Sequence, residues 1–231
     1  MITFNGTDLS TFGVYVDPSK QYVTPEKDVE YIEIPGRNGT LTLSNNRFTD
    51  VTISYPCYFR DNFVANYRAL ESFLYSVEGF ARLESDKEPL YYRMASFASP
   101  IEPEVGQLSR TGKFTLTFRC HPQRYLKSGE TLVTISASDT INNPTLFKSY
   151  PLLRTVGSGT IQIGNVTITV ADSSYAHIYI DCETMNAYYG AHNANQYVSF
   201  STHDRISLAP GDNGITHTLS ELRIKPRWYE I

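Results

Sequence analysis

The sequence contains no long uncharged apolar run, so no segment of it is expected to span a membrane as a helix. Its start, MITFNGTDLS, lacks both the basic region and the apolar stretch of a secretion signal, so we expect no secretory leader. It also lacks a basic arm, and its formal net charge is −4. We therefore expect no membrane association and no direct nucleic-acid binding.

Cysteine is scarce, and its spacing argues against two common uses of this residue. Cys57, Cys120 and Cys182 are odd in number and far apart, and no CxxC motif or Cys/His cluster is present. This pattern favours buried free thiols over a disulfide framework or a zinc site. The histidines are also scattered, so we predict no metal site; they stand at His121, His177, His192, His203 and His217.

Motifs for catalysis and cofactor binding are missing as well. The glycines around Gly164 do not fit GxGxxG, and no GxSxG nucleophile motif occurs. Asp181 and Glu183 lie two residues apart and would share one face of a strand, as a glycosidase pair could; we favour a solvated pair at a strand end. The sequence thus predicts no catalytic residue, no cofactor and no enzymatic activity.

Aromatic residues are abundant instead, with 17 tyrosines and 12 phenylalanines in 231 residues. Aromatic side chains favour pleated surfaces and interfaces, so this composition predicts a mainly β fold with extensive protein contacts. A chain of this length, 41% apolar, suits one large or two modest globular domains.

The domain boundary is predicted from one strand. Residues Phe114–Cys120 alternate apolar and polar side chains, which indicates a half-buried strand that closes a first domain before Pro122 interrupts the ladder. We therefore predict domains over residues 1–126 and 127–231. The interdomain hinge is predicted at His121, Pro122, Gln123, Arg124 and Tyr125.

The first domain contains a long hairpin excursion. Strands are predicted at Asp28–Ile34 and Thr40–Leu43, with a polar interruption at Ser44–Arg47 before a further strand at Asp50–Arg60; residues 20–27 are predicted as a loop. A rigid turn that exposes a guanidinium is predicted between the first two strands, and it consists of Pro35, Gly36, Arg37, Asn38 and Gly39. A long excursion with such a turn favours a docking role over an ordinary solvated hairpin tip.

One helix is predicted over residues 61–78, with Asp61 as its N-cap and Gly79 as its stop. Its apolar residues recur at helical spacing and form one stripe, which comprises Phe63, Tyr67, Leu70, Leu74 and Val77.

The second half has short strands separated by turn signals. Thr160–Ile163 and Val166–Val170 flank Gly164-Asn165, a hairpin turn with glycine in first place, and another turn is predicted at Pro210–Gly214. Several short strands with regular turn signals predict a β-sandwich or jelly roll.

Two runs carry a family resemblance. IPGRNGTLTLS (Ile34–Ser44), with a helix some twenty residues later, and FRCHPQRYLKSGE (Phe118–Glu130) resemble the distal tail proteins of siphophages that infect Gram-positive bacteria. The resemblance implies an N-terminal β-sandwich with one α-helix and a projecting hairpin arm, followed by a C-terminal galectin-like β-sandwich. It covers essentially the whole chain.

The resemblance also implies a function. Such a protein is a structural hub of the phage tail tip or baseplate, in which a homo-hexameric ring joins the tail tube protein to the tail-associated adhesion or lysin protein. It would be made in the host cytoplasm from a phage or prophage gene and located at the distal end of the tail in the virion. Pro35–Gly39 would then be an inter-subunit arm.

An alternative function is a carbohydrate-binding β-sandwich that recognises host cell-wall glycans. Exposed aromatic rings can stack on sugars, and the candidate contacts are Tyr188, Tyr189, Tyr197 and Trp228. We favour the interpretation that these rings pack in the core or at an interface.

Overall fold

The structure is a computed structural model that describes residues 1–18, 23–106 and 110–231. Its contacts divide the chain into two compact units, one made of Met1–Arg124 with Ile231 and one made of Tyr125–Glu230. The predicted boundary lies two residues from this division, and the roles given to the two domains stay predictions. The predicted loop over residues 20–27 begins outside the described residues; residues 23–26 have no helix or strand, and Lys27 already belongs to a strand.

The first unit is built on one antiparallel sheet in which seven strands follow the order β2-β1-β7-β8-β10-β6-β3, while β9 pairs with β10. These strands are β1 (Ile2–Phe4), β2 (Thr7–Asp8), β3 (Tyr15–Val16), β6 (Val51–Phe59), β7 (Ala81–Ser85), β8 (Tyr91–Ser96), β9 (Glu104–Val105) and β10 (Gly112–Cys120). A short 3-10 helix covers Leu9–Phe12. Two further strands, β4 (Lys27–Glu33) and β5 (Thr40–Phe48), form a separate two-stranded sheet.

The strand that marked the domain boundary lies in the middle of this sheet. Phe114, Leu116 and Phe118 are buried, as the alternation predicts. β6 pairs with β10 from Gly112 to Cys120, and β8 pairs with the other side of β10 at its end. β10 therefore contributes to the core from a central position.

The predicted helix is α1 (Phe63–Ser76), the one α-helix of the described residues, and it is shorter at both ends than predicted. Asp61 is not its N-cap: Asn62 precedes the helix with φ 47°, in the left-handed region, and makes no side-chain cap bond. Val77 is already extended, so the helix ends before Gly79. The predicted stripe is confirmed, because Phe63, Leu70 and Leu74 are buried and Tyr67 and Val77 pack against the core.

The second unit is a sandwich of two antiparallel sheets. One sheet has the order β12-β22-β14-β17-β18-β19 and the other β13-β21-β15-β16-β20. The strands are β12 (Val133–Ile135), β13 (Ser138–Asn143), β14 (Leu152–Val156), β15 (Gly159–Ile163), β16 (Val166–Val170), β17 (Ile178–Asp181), β18 (Asn186–Tyr189), β19 (His192–Asn193), β20 (Val198–Phe200), β21 (Gly211–His217) and β22 (Glu221–Lys225). A short pair, β11 (Arg124–Leu126) and β23 (Tyr229–Glu230), and 3-10 helices at Lys127–Glu130 and Asn195–Tyr197 complete the described elements.

Both sheets of the sandwich contribute to its core. Ile180 and Leu222 of the six-stranded sheet and Ile161 and Ile215 of the five-stranded sheet are fully buried in the same apolar cluster. The predicted fold class is confirmed as mainly β, with several antiparallel sheets and one α-helix among the described residues. Where an N-terminal β-sandwich was predicted, the described strands of the first unit other than β4 and β5 belong to one antiparallel sheet.

Two predicted interruptions are wrong. Ser44–Arg47 belongs to β5, which continues to Phe48, and Gly211–His217 is a strand where a turn was predicted. In the second case β13 supplies a partner along the whole segment, from Asn143 opposite Gly211 to Ser138 opposite Thr216. The sheet ladder thus overrides the turn preference of its Asp, Asn and Gly residues.

Candidate functional site

The hairpin of β4 and β5, which we call the arm, is the feature of the first unit that has no partner in the sheet. β4 and β5 pair with each other and with no third described strand. Residues 30–47 are all exposed. An isolated two-stranded sheet is marginally stable in water, so contact with another molecule would stabilise the arm.

One face of the arm is apolar. Cross-strand partners share a face, and Ile32 lies opposite Leu41 while Glu30 lies opposite Leu43. Ile32, Leu41 and Leu43 therefore lie together on one side, which we call the apolar face; they are 38%, 44% and 51% exposed. The alternation of Leu41 and Leu43 was visible in the sequence, but the prediction placed the contact at the tip instead.

The tip of the arm has the predicted turn. Gly36 and Gly39 have φ values of 80° and 82°, a region that favours glycine, and the Arg37 N–H donates to the Ile34 carbonyl at 3.1 Å. The Arg37 side chain is exposed at this turn. The tip residues are thus where the sequence placed them, and their role as an inter-subunit contact stays a prediction.

The base of the arm is closed by polar contacts. The Arg47 guanidinium pairs with the Asp28 carboxylate across a bulge in the ladder between Lys27 and Val29. The hydrogen bond from Arg47 holds the pKa of Asp28 below its usual value. The Thr49 N–H also donates to the Glu26 carbonyl at 2.9 Å, so a backbone hydrogen bond joins the two segments at the base of the arm.

The predicted hinge residues make contacts within their own units. The His121 N–H donates to the Met94 carbonyl at 2.9 Å, and its ring lies 4.0 Å from that of Phe80. Further along, Arg93 donates to the Pro122 carbonyl at 3.4 Å.

Arg124 and Tyr125, the last two predicted hinge residues, belong to different units. Arg124 pairs with Glu88 at 3.4 Å in the first unit, and its guanidinium lies 5.3 Å from the ring centroid of Tyr91. Tyr125 packs near Tyr229 in the second unit, with ring centroids 6.2 Å apart. The chain therefore passes from one unit to the next between these two residues, and the hinge role stays a prediction.

The four candidate glycan contacts do not form one exposed set. Trp228 is 5% exposed and packs in the core of the sandwich, which corrects its place among them, because a buried indole offers no face to a sugar. Tyr188, Tyr189 and Tyr197 are partly buried. Four residues that were not predicted as glycan contacts join these tyrosines in a row of rings; they are Tyr175, His177, Tyr179 and His192.

The remaining chemical candidates have structural partners. Arg227 binds both oxygens of Asp181, at 2.9 and 3.1 Å, and lies 3.8 Å from Glu183, so this carboxylate pair holds an arginine. Burial raises the pKa of each of the three cysteine thiols to about 12. Across residues 1–18, 23–106 and 110–231, no three His, Cys, Asp or Glu side chains come close enough to hold a metal ion, and no helix is long and apolar enough to cross a membrane.

Two solved structures share this fold. The Dit protein of phage SPP1, described as a paradigm of the hub adsorption apparatus in Gram-positive-infecting phages, matches with a TM-score of 0.67 at 16% identity, over 96% of each chain. A chain of the phage p2 baseplate, in its activated conformation with strontium, matches with a TM-score of 0.54 at 14% identity, over 94% of this chain and 91% of that one.

The family comparison concerns the unit that carries the arm. No curated protein sequence matches the chain. The model of the phage tail protein RIFT-related domain matches residues 5–120, half of the chain, and the predicted resemblance to siphophage tail proteins is confirmed in family and in fold. The chain belongs to the siphophage tail protein family that this domain defines.

Proposed function

We propose that the chain is a non-enzymatic structural hub of the phage tail tip, and that it assembles through its arm into a ring of six subunits. The observation that carries this proposal is the apolar face, with Ile32, Leu41 and Leu43 open to solvent on a hairpin that has no third strand. Exposed apolar surface of this kind marks a protein contact.

A second copy of the same chain is the partner that this geometry favours. The first unit has short edge strands and a projecting arm, so the contact would join two different surfaces of neighbouring subunits. Such a heterologous contact closes into a ring when its rotation permits. The number six comes from the resemblance to distal tail proteins.

The place of the ring in the phage tail is inferred from the two structural neighbours. One structural neighbour is described as part of an adsorption hub and the other as part of a baseplate, so a place at the distal end of the virion tail is the role that the fold supports. In this position the ring would join the tail tube protein to the tail-associated adhesion or lysin protein, with the C-terminal sandwich as a docking surface.

The test replaces the apolar face while leaving the hairpin in place. In the variant, Ile32→Ser, Leu41→Ser and Leu43→Ser are combined. A matched control combines Glu33→Ser, Thr40→Ser and Thr42→Ser, which lie on the opposite face. We expect light scattering to show a mass that rises with concentration to six chains for the parent and the control, while the variant stays a folded monomer.

Two results would contradict the proposal. One is a variant of the apolar face that assembles as well as the parent. The other is a tail-tip image, with this protein located in it, that shows no sixfold layer.

A further inference from the structure

Six rings in the second unit form a continuous row, which we call the aromatic row. Starting from Tyr197, successive ring centroids are separated by 5.8, 5.0, 5.0, 5.2 and 5.6 Å. The row consists of Tyr197, Tyr175, Tyr189, His177, Tyr179 and Tyr188. Each of these side chains is partly buried, so each also reaches solvent.

Three rings of the aromatic row lie on or beside the outer face of the six-stranded sheet: those of Tyr179, Tyr188 and His177, whose ring lies 5.2 Å from that of Tyr179. In β17 and β18 the inward side chains are Ile178, Ile180 and Ala187, all buried in the core. Because side chains alternate along a strand, Tyr179 and Tyr188 point away from the core, and they are direct cross-strand partners. Their rings are nearly parallel, with 24° between the planes.

The other three rings, those of Tyr189, Tyr175 and Tyr197, continue the row from His177. Tyr175 and Tyr197 pack against the sandwich core. The ring of Tyr175 stacks on that of Tyr189 at 5.0 Å, and His177 then contacts Tyr189 edge-on. The outer rings are thus held in place before any ligand arrives, which lowers the entropy that a ligand must remove on binding.

Fixed polar groups border the outer rings. Arg154 is the cross-strand partner of Tyr179 on the side away from Tyr188, and it pairs with Glu221. Arg223 pairs with the same carboxylate at 3.0 Å. Near the end of β17, Arg227 holds Asp181 with two hydrogen bonds.

The charges of this border cancel. Three guanidinium groups face three carboxylates, those of Glu221, Asp181 and Glu183. Burial, followed by the charge of Arg154, lowers the pKa of His177, so its ring is neutral at neutral pH. A surface with balanced charges does not select a strongly charged ligand.

The composition distinguishes a sugar from a protein partner. The buried centre of a protein interface is more apolar than its rim and is depleted of charged residues, whereas the aromatic row is bordered by three arginines and three carboxylates. In the described part of the second unit the largely exposed apolar residues are Leu132, Val133 and Leu146, and none of them belongs to the aromatic row. Tyrosine rings with free hydroxyls, next to fixed arginines and carboxylates, match the alternating C–H and O–H groups of a pyranose.

We propose that the outer part of the aromatic row, Tyr179, Tyr188 and His177 with Arg154 beside them, is a binding site for a neutral glycan whose pyranose rings stack on the tyrosines. This binding function is additional to the structural role and does not depend on ring assembly. It also differs from the site predicted from the sequence, because Trp228 is absent from it and Tyr197 only supports it.

The test uses the full chain and linear neutral hexasaccharides of glucose, galactose and N-acetylglucosamine, with polygalacturonate as a charged comparison. We expect calorimetry to detect millimolar or tighter binding of at least one neutral glycan. The double variant Tyr179→Ala with Tyr188→Ala should bind about tenfold more weakly or worse, because it removes both outer tyrosine rings. Tyr75→Ala, an exposed tyrosine of the first unit, is the matched control and should bind like the parent.

Nuclear magnetic resonance on the parent chain keeps the test independent of variant folding. Glycan-induced shifts should cluster on His177, Tyr179 and Tyr188. The proposal is overturned if none of the neutral glycans binds at millimolar concentration, if the shifts cluster elsewhere, or if polygalacturonate binds more tightly than every neutral glycan. It is equally overturned if a folded double variant binds as well as the control.

Discussion

At the scale of single residues, burial determines what the three thiols can do. Cys57, Cys120 and Cys182 are buried, and burial raises the pKa of each to about 12. The thiolate is the reactive form, so at pH 8 almost none is present. We expect the native chain to react with Ellman's reagent only at the rate of its unfolding, and all three thiols to react at once in denaturant. Fast labelling of the native chain would contradict this burial.

A second prediction concerns the ion pair at the end of β17. Burial opposes ionisation of Asp181, but hydrogen bonds from Arg227 and from the Glu183 and Thr184 N–H groups outweigh it and lower the pKa of Asp181 below 3.8. Its stabilising effect is therefore present above the unfolded pKa and lost as the pH falls through the folded pKa. Asp181→Asn should reduce the free energy of unfolding by about 1–3 kcal/mol at pH 7.

The pH dependence gives the sharper measurement for this pair. Urea unfolding of the parent and of Asp181→Asn should show a difference that is constant near neutral pH and shrinks below pH 3.8. Asp172→Asn is the control, because Asp172 is exposed and accepts a bond only from the adjacent Ser173 N–H. A difference that grew on acidification would show that the Arg227 contact does not stabilise the fold.

At the scale of elements, α1 shows what periodicity can and cannot predict. The spacing of Phe63, Leu70 and Leu74 identified the buried face, because it depends only on the geometry of the helix. The helix start was wrong because Asn62 takes a left-handed backbone conformation, which its amino-acid type permits without requiring. The first and last residues of a helix depend on the backbone conformation of single residues, so the sequence predicts them less well than it predicts the buried face.

The buried face of α1 supports a stability prediction. Leu70 is fully buried, so Leu70→Ala should lower the free energy of unfolding by about 2–5 kcal/mol through lost burial and a residual cavity. Val64→Ala, on the same helix at a position that is 46% exposed, should change it by less than about 0.5 kcal/mol. Urea unfolding followed by circular dichroism compares the two. Equal losses would mean that α1 is not packed as described.

Elements built from polar residues were missed for a related reason. β13 and β21 contain Asn, Asp, Thr and Gly where strands usually contain branched or aromatic residues. Their side chains instead bond across and along the ladder: Asn142 donates to Asp212 at 2.7 Å, and the Asn213 side chain bonds both the N–H and the carbonyl of Ala209. Local composition does not reveal such a network, because it forms only once the two segments meet.

The tip of the arm gives a further prediction at this scale. Replacing Pro35–Gly39 with an equally long Gly/Ser linker removes a turn whose residues are all exposed, so the melting temperature should stay within about 2 °C of the parent value. Ring assembly should weaken, since a flexible tip lets the two strands of the arm separate. Light scattering at matched concentrations measures the effect. Assembly equal to that of the parent would assign the contact to the apolar face alone.

At the scale of the whole molecule, the two compact units predict two independent folding units. Fragments Met1–Arg124 and Tyr125–Ile231 each contain one of the two apolar clusters, so each should give a cooperative unfolding transition. The first should retain the ability to assemble because it contains the arm, and the second should be a soluble monomer. Circular dichroism and light scattering on both fragments check this. An unfolded first fragment would show that its core needs the rest of the chain.

The sequence predicts a domain boundary after residue 126, because Pro122 ends a strongly alternating strand, and the contacts divide the chain two residues earlier. The aromatic row was not predictable to the same degree. Tyr179 and Tyr188 are nine positions apart and meet only through the pairing of β17 with β18. Sequence alone gives the number of tyrosines, but their common surface depends on register.

The apolar face of the arm also affects how free chains associate with one another before assembly. A free chain keeps Ile32, Leu41 and Leu43 in water, and the two edges of the hairpin offer unpaired backbone groups to any other strand. Crowding of such chains favours random association, which depends steeply on their concentration. Unassembled copies should therefore stay dispersed only at low concentration, and in the proposed hub the yield of intact tails should depend on matching the synthesis of this chain to the supply of its partners.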